Sequence, residues 1–249
     1  MNMLTNYDTI SNSSRKRKLD ASYIEEKEYK KPRLMDPFSA SIIDCTHIAM
    51  SITGKSNSGK TQKLKKILES DYFKYTFSDC NIIYINDSLD TTIPDNFPNI
   101  IHVKASSLTD DHIGHSLLKI LESGGGCEKL IIFDDMTHRF PSGTKVTILT
   151  EALKKMANGG RHSRLHYILI SQKYTSIPVY LRINLHHCIL FKPNTKIECT
   201  AMLRDNEQPG TDMLKTVITS LKEYECCFVN KESHIQKRYL WNESSFVKL

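Results

Sequence analysis

The spacing of apolar positions changes period repeatedly along this chain, and each change predicts an element. Ile48–Thr53, Ile82–Ile85 and Ile100–Val103 are apolar runs of strand length. Leu130–Phe133, Tyr167–Ile170 and Ile189–Phe191 are unbroken in the same way, the pattern of strands buried on both faces. Between them the spacing turns helical. Lys60–Glu69 carries Leu64, Ile67 and Leu68 on one face, and Asp110–Glu122 stacks Ile113, Leu117 and Leu121 at steps of four. Thr109 is placed to cap that second helix, and Gly124, Gly125 and Gly126 to stop it. Lys145–Ala157 aligns Val146, Leu149, Leu153 and Met156 ahead of Asn158, Gly159 and Gly160. After about Asn194 the periodicity weakens; Leu214–Leu221 predicts a helix and Cys226–Asn230 a strand. Strands alternating with helices predict an α/β fold, a mostly parallel sheet covered by helices on both faces.

Residues 1–38 break this pattern. They are polar, with basic blocks at Arg15–Lys18 and Lys30–Arg33 around an acidic-leaning stretch with Glu25, Glu26 and Glu28. So little apolar surface predicts a disordered arm. The two blocks are spaced as in a bipartite nuclear import signal, which favours the nucleus over the cytoplasm. The expected division is a basic arm at 1–38 and one domain at 39–249, its chemistry within 45–195 and an extension at 196–249. The chain has 249 residues, enough for one sizeable domain and a tail. No stretch approaches the roughly 20 apolar residues of a membrane-spanning helix. A net charge of +6 permits a polyanionic partner without requiring one. The seven cysteines include no CxxC pair, as expected of reduced thiols in an intracellular protein. His162, His166, His186 and His187 lack the spacing of metal ligands.

The sharpest chemical signal is Gly54-Lys55-Ser56-Asn57-Ser58-Gly59-Lys60-Thr61, which satisfies GxxxxGK[ST] between a predicted strand and a predicted helix. Small residues let successive backbone N–H groups close around phosphate oxygens, and the helix dipole adds positive potential. Lys60 is placed to reach the β- and γ-phosphates of ATP, and the Thr61 hydroxyl to bind Mg²⁺. Asp134 and Asp135 end the strand that begins at Leu130, on the rim where α/β sheets bind ligands. Asp134 is expected to hold Mg²⁺ through water and Asp135 to polarise the attacking water. Gln172 follows the next strand and is placed to sense the γ-phosphate. Arg161 and Arg164, on the turn beginning Gly159-Gly160, are candidates to stabilise charge on a transferring phosphoryl group, in cis or on a neighbouring subunit. Arg182 is a weaker candidate of that kind. A P-loop kinase, with the arginines as a lid, and a non-catalytic nucleotide-binding module are the other readings of these motifs.

In their order, the phosphate loop, the Asp134-Asp135 strand, the Gly160-Arg161-His162 turn, the Ser171-Gln172 strand end and the Ile177-Pro178 segment through Phe191-Lys192 resemble the FtsK–HerA superfamily. Within it, they resemble the viral DNA-packaging ATPases of the poxvirus and Polinton-like virus type. The resemblance covers roughly residues 45–195. It implies a RecA-like (ASCE) P-loop fold, with an inserted strand between the phosphate-loop strand and the acidic strand. It also implies a ring, a hexamer, around double-stranded DNA, driven by ATP hydrolysis to fill a capsid through a portal-like component. Arg161 would be the arginine finger and Gln172 the sensor. Lys55 stands where many relatives have a small residue, and Asp135 where a Glu is frequent. No large domain precedes the motor motifs, unlike in the cellular translocases, so the compact viral form is expected. Related plasmid- and chromosome-pumping ATPases share the motifs.

Overall fold

The computed structural model describes residues 47–78, 82–87, 99–123, 126–141, 146–206, 213–231, 237–241 and 246–248. The expected basic arm at 1–38, Cys45, Cys80, Gly124, Gly125 and Lys145 lie outside these residues. The strands are β1 (Ala49–Thr53), β2 (Ile82–Asn86), β3 (Ile100–Lys104), β4 (Lys129–Asp134), β5 (Leu165–Ser171), β6 (His187–Phe191), β7 (Cys226–Asn230), β8 (Lys237–Trp241) and β9 (Phe246–Lys248). The helices are α1 (Lys60–Leu68), α2 (Asp71–Thr76), α3 (Asp110–Glu122), α4 (Ile148–Gly159), α5 (Val179–Arg182), α6 (Lys196–Asn206) and α7 (Met213–Ser220). All strands join one sheet in the order β3-β2-β4-β5-β1-β6-β7-β8-β9. The pairs from β3 to β6 are parallel and those from β6 to β9 antiparallel. The expected α/β sheet is therefore present, and β5 is the strand inserted between β1 and β4.

Alternation along each strand divides the core into two layers. Ile131, Phe133, Tyr167, Leu169, Cys188 and Leu190 face α3, α4 and α7. Ile132, Ile168, Ile170, Met50, Ile52 and Ile189 face α1 and α2 through Leu64, Ile67, Leu68 and Phe73. All residues of β1, β5 and β6 are buried, which explains their lack of apolar–polar alternation.

Thr109 caps α3 by accepting the His112 N–H. Helix α4 begins at Ile148, three residues later than the apolar spacing suggests, because the Thr147 hydroxyl accepts the Thr150 N–H and fixes the start there. Gly114 lets α3 press against α4: a Cβ there would sit 2.7 Å from the Leu149 nitrogen. Gly160 serves the close return from α4 into β5, since its Cβ would lie 2.7 Å from the Met156 carbonyl oxygen and 2.8 Å from that of Leu165.

At the N-terminal rim of the sheet, His166 Nδ1 accepts the Ile48 N–H at 2.9 Å and its Nε2 meets Glu128 at 2.7 Å. A ring accepting at Nδ1 is the neutral Nε2–H tautomer. Burial lowers the His166 pKa from 6.5, against the hydrogen bond and charge of Glu128. The unfolded chain therefore takes this proton more readily than the folded one. Stability is full above about 6.5 and falls as pH drops through that value towards the folded pKa. Melting temperature should decrease from roughly pH 7.5 to roughly pH 5.5, and by less in His166→Gln. Equal decreases in both proteins would remove His166 as the cause.

Candidate nucleotide site

The loop Gly54–Thr61 leaves β1 at the sheet's C-terminal rim, and the Gly54 N–H donates to the Ser171 carbonyl at 3.1 Å. A Cβ on Gly54 would lie 2.6 Å from Phe191 Cβ and 2.7 Å from Ser58 Oγ, so only glycine permits this turn. Asn57 at φ 60° and Gly59 at φ 94° adopt the left-handed conformation. Left-handed residues among right-handed ones aim successive N–H groups into one concavity, the geometry of an anion nest. Lys55, Ser56 and Asn57 are exposed, whereas Ser58 is buried with no hydrogen-bond partner for its hydroxyl among the described residues. Helix α1 starts at Lys60 with Thr61 in its first turn.

Lys60 Nζ donates to the Gly54 and Lys55 carbonyls at 2.8 and 2.9 Å. An ammonium has three protons, so one remains for an anionic oxygen. Burial lowers the Lys60 pKa, while the charges of Asp135 and then Asp134 hold it up. The predicted meeting of these three side chains on one rim is thus present. Burial raises the Asp134 pKa, the Tyr84 hydrogen bond opposes the rise, Asp135 adds to it and Lys60 opposes it. A cation beside Asp134 would favour its charged form further. Asp135 sits one residue past β4 at φ 54°, with its N–H on the Ile170 carbonyl at 3.0 Å. Non-glycine residues adopt that conformation sparingly, and aspartate and asparagine more readily than most. Gln172 Nε2 donates to Asp135 Oδ2 at 2.6 Å, which joins the sensor candidate to the water-polarising candidate.

The arginines are placed otherwise. Arg161 and Arg164 precede Leu165, so they lie at the sheet's N-terminal rim, about 20 Å along β5 from Ser171. This corrects the in-cis alternative: neither can reach the phosphate loop of its own chain. Arg164 is tied to the Gly126 carbonyl at 2.9 Å, and Arg161 is exposed. Arg182 is also corrected. It is 5% exposed, pairs with Asp205 at 3.2 Å and lies over the Tyr174 ring at 5.3 Å, so its role is packing. Arg182→Ala removes the buried one of two arginines on Asp205, leaving Arg204 Nε at 2.9 Å from Oδ1 but nothing among the described residues on Oδ2, and should cost about 1–3 kcal/mol. Chemical denaturation checks this, and a loss under about 1 kcal/mol would contradict the buried pair.

A model of the poxvirus A32 protein family matches residues 35–223. The chain belongs to the poxvirus A32 protein family. No curated protein matches the chain. Among solved structures it is similar to the genome packaging NTPase B204 of Sulfolobus turreted icosahedral virus 2 in complex with AMP. Identity is 18%, TM-score 0.59, and the match covers 78% of this chain and 96% of that one. B204 described as the DNA-packaging ATPase of Sulfolobus turreted icosahedral virus matches at 15% identity and TM-score 0.58, over 78% of this chain and 96% of its own. EccC of Thermomonospora curvata, ATPases 2 and 3, matches at 16% identity and TM-score 0.55, over 80% of this chain and 37% of EccC. These likenesses establish the fold, the P-loop ATPase fold of RecA-like type.

In this A32 family member several site residues carry no sequence signal. Tyr84 on β2 donates its hydroxyl to Asp134 Oδ2. Only the pairing of β2 with β4, Asn86 opposite Asp134, brings it there. Ser171, Thr137 and Ser176 bond one another by their hydroxyls at 2.7–2.9 Å and fix the segment that carries Gln172. Asp135 is steadied from outside, its carbonyl 2.9 Å from His138 Nδ1. Among the described residues no group of three or more His, Cys, Asp or Glu side chains is placed to hold a metal ion. No described helix is long and apolar enough to cross a membrane.

Proposed function

We propose that this chain is an ATP-driven motor that moves double-stranded DNA into a viral capsid as a homo-oligomeric ring, a hexamer in the reading favoured by its superfamily resemblance. The observation that carries the hydrolytic half is the hydrogen bond from Gln172 to Asp135 beside the Lys60 loop. A carboxylate at a strand end, oriented by an amide, suits activation of water at a γ-phosphate. A kinase would need an acceptor there instead. Membership in the A32 family, and a fold shared with packaging NTPases, support DNA as the cargo.

The loop amides and Lys60 would bind the triphosphate. Thr61 and Asp134 offer oxygen donors alone, a set that suits a hard cation such as Mg²⁺ completed by phosphate oxygens. When bound, the ion would neutralise charge on the β- and γ-oxygens. Tyr84 holds the Asp134 carboxylate in one orientation. Asp135 takes a proton from the attacking water, and Gln172 fixes both. Arg161 completes the charge stabilisation on the nucleotide of a neighbouring subunit, which ties hydrolysis to assembly.

Phosphate release with and without long double-stranded DNA tests the proposal. The rate should rise with DNA, and the rise should shrink as salt increases, because non-specific contact is to backbone charge. Equal rates in an assembled oligomer would overturn the motor reading.

A further inference from the structure

Beyond the phosphate loop, on the side away from the carboxylates, lies a cavity of about 250 Å³. Its walls are Lys55 and Ser58 of the loop, Phe191 and Lys192 at the end of β6, and the turn 221–225 that leads into β7. The sheet order makes the placement meaningful. Asp134, Asp135 and Gln172 follow β4 and β5 on one side of β1, while the cavity sits over β6 and β7 on the other. A triphosphate whose γ end faces the carboxylates therefore leaves the loop with its α end towards this cavity.

Tyr224 dominates the far wall. Its ring reaches over the loop, with Cδ1 3.3 Å from where a Cβ of Gly59 would be. It is 39% exposed and sits at φ 62°, a conformation an ordinary tyrosine avoids. The turn enforces this: the Lys222 N–H donates to Glu225 Oε2 at 2.9 Å and the Glu225 N–H to the Lys222 carbonyl at 3.3 Å. A strained turn that presents an aromatic face beside a phosphate cradle is suited to hold a planar ring.

We propose that this cavity is the nucleoside subsite and that Tyr224 is its stacking residue, a reading that rests on the nucleotide site above. Lys55 and Lys192 flank the path between the α-phosphate and the sugar. Glu225 Oε2 accepts the Lys222 N–H, which holds that carboxylate against its own turn. Recognition is by ring face, and stacking accepts any base. The site takes nucleoside triphosphates with little discrimination between adenine and guanine.

Calorimetric binding of ATP, GTP and inorganic tripolyphosphate to the full chain, with Mg²⁺ present, tests the subsite. Wild type should bind ATP and GTP within about threefold of each other, and both at least about tenfold more tightly than tripolyphosphate. Tyr224→Asn, which suits the left-handed turn, should weaken ATP and GTP about tenfold and leave tripolyphosphate unchanged. Tyr224→Phe should restore both. The subsite is overturned if Tyr224→Asn weakens tripolyphosphate equally, leaves ATP unchanged, or if wild type prefers one purine more than about tenfold. Failure of wild type to bind either ATP or tripolyphosphate would instead remove the phosphate site itself.

Discussion

Asp135→Asn should lower kcat for ATP hydrolysis by about 10³-fold and change KM by no more than a few-fold. Asparagine tolerates the φ of 54° at this position, so the turn after β4 survives. The amide oxygen can still accept from Gln172 Nε2, so the local network survives as well. What disappears is a group able to take a proton from water. The Lys60 loop is untouched, and nucleotide binding with it. Steady-state phosphate release together with equilibrium binding separates the two quantities. A variant that turns over at more than about a tenth of the wild-type rate would show that Asp135 is not the base.

Arg161→Ala should be inactive as an oligomer, by about 10³-fold or more, yet bind nucleotide normally. The reason is distance: Arg161 stands at the start of β5, and its own phosphate loop lies beyond the other end. A finger acting between subunits has a distinctive signature in mixtures. Arg161→Ala subunits keep an intact loop but offer no finger, whereas Lys60→Ala subunits offer the finger but bind no phosphate. Mixed rings contain interfaces in which a Lys60→Ala neighbour presents Arg161 to an intact site. Activity should reappear on mixing, although each variant alone is inactive. If mixing restores nothing while both variants assemble, Arg161 is not the finger. If Arg164→Ala is the inactive partner instead, the finger is the arginine now held by the Gly126 carbonyl.

Much of the site was legible because its chemistry is written in consecutive residues. Gly54–Thr61 and Leu130–Asp135 each carry strand, turn and reactive group in one short segment, and the fold places them where the motif requires. Strand order could not be read from apolar runs. That β5 separates β1 from β4 is a matter of pairing between strands distant in sequence, and only the family resemblance implies it. Tyr84 was invisible because its partner is fifty residues away on another strand. Helix α6 was hidden for a different reason. It buries Glu198 and Asn206 along with Ala201 and Met202, so no apolar stripe marks it. Glu198 is there to accept the N–H groups of Tyr174 and Asn194 at 2.9 and 3.1 Å. Arg182 misled in the opposite direction, since a basic residue near a site motif gives no sign in sequence that Asp205 and Tyr174 enclose it.

The most direct test is a crystal structure of the chain with Mg²⁺ and a non-hydrolysable ATP analogue. It should show a γ-phosphate oxygen about 3 Å from Lys60 Nζ, with a water on the far side of the γ-phosphorus held by Asp135 and Gln172. A triphosphate bound in the Gly54–Thr61 loop with Asp135 turned away from it, or bound elsewhere on the molecule, would contradict the account.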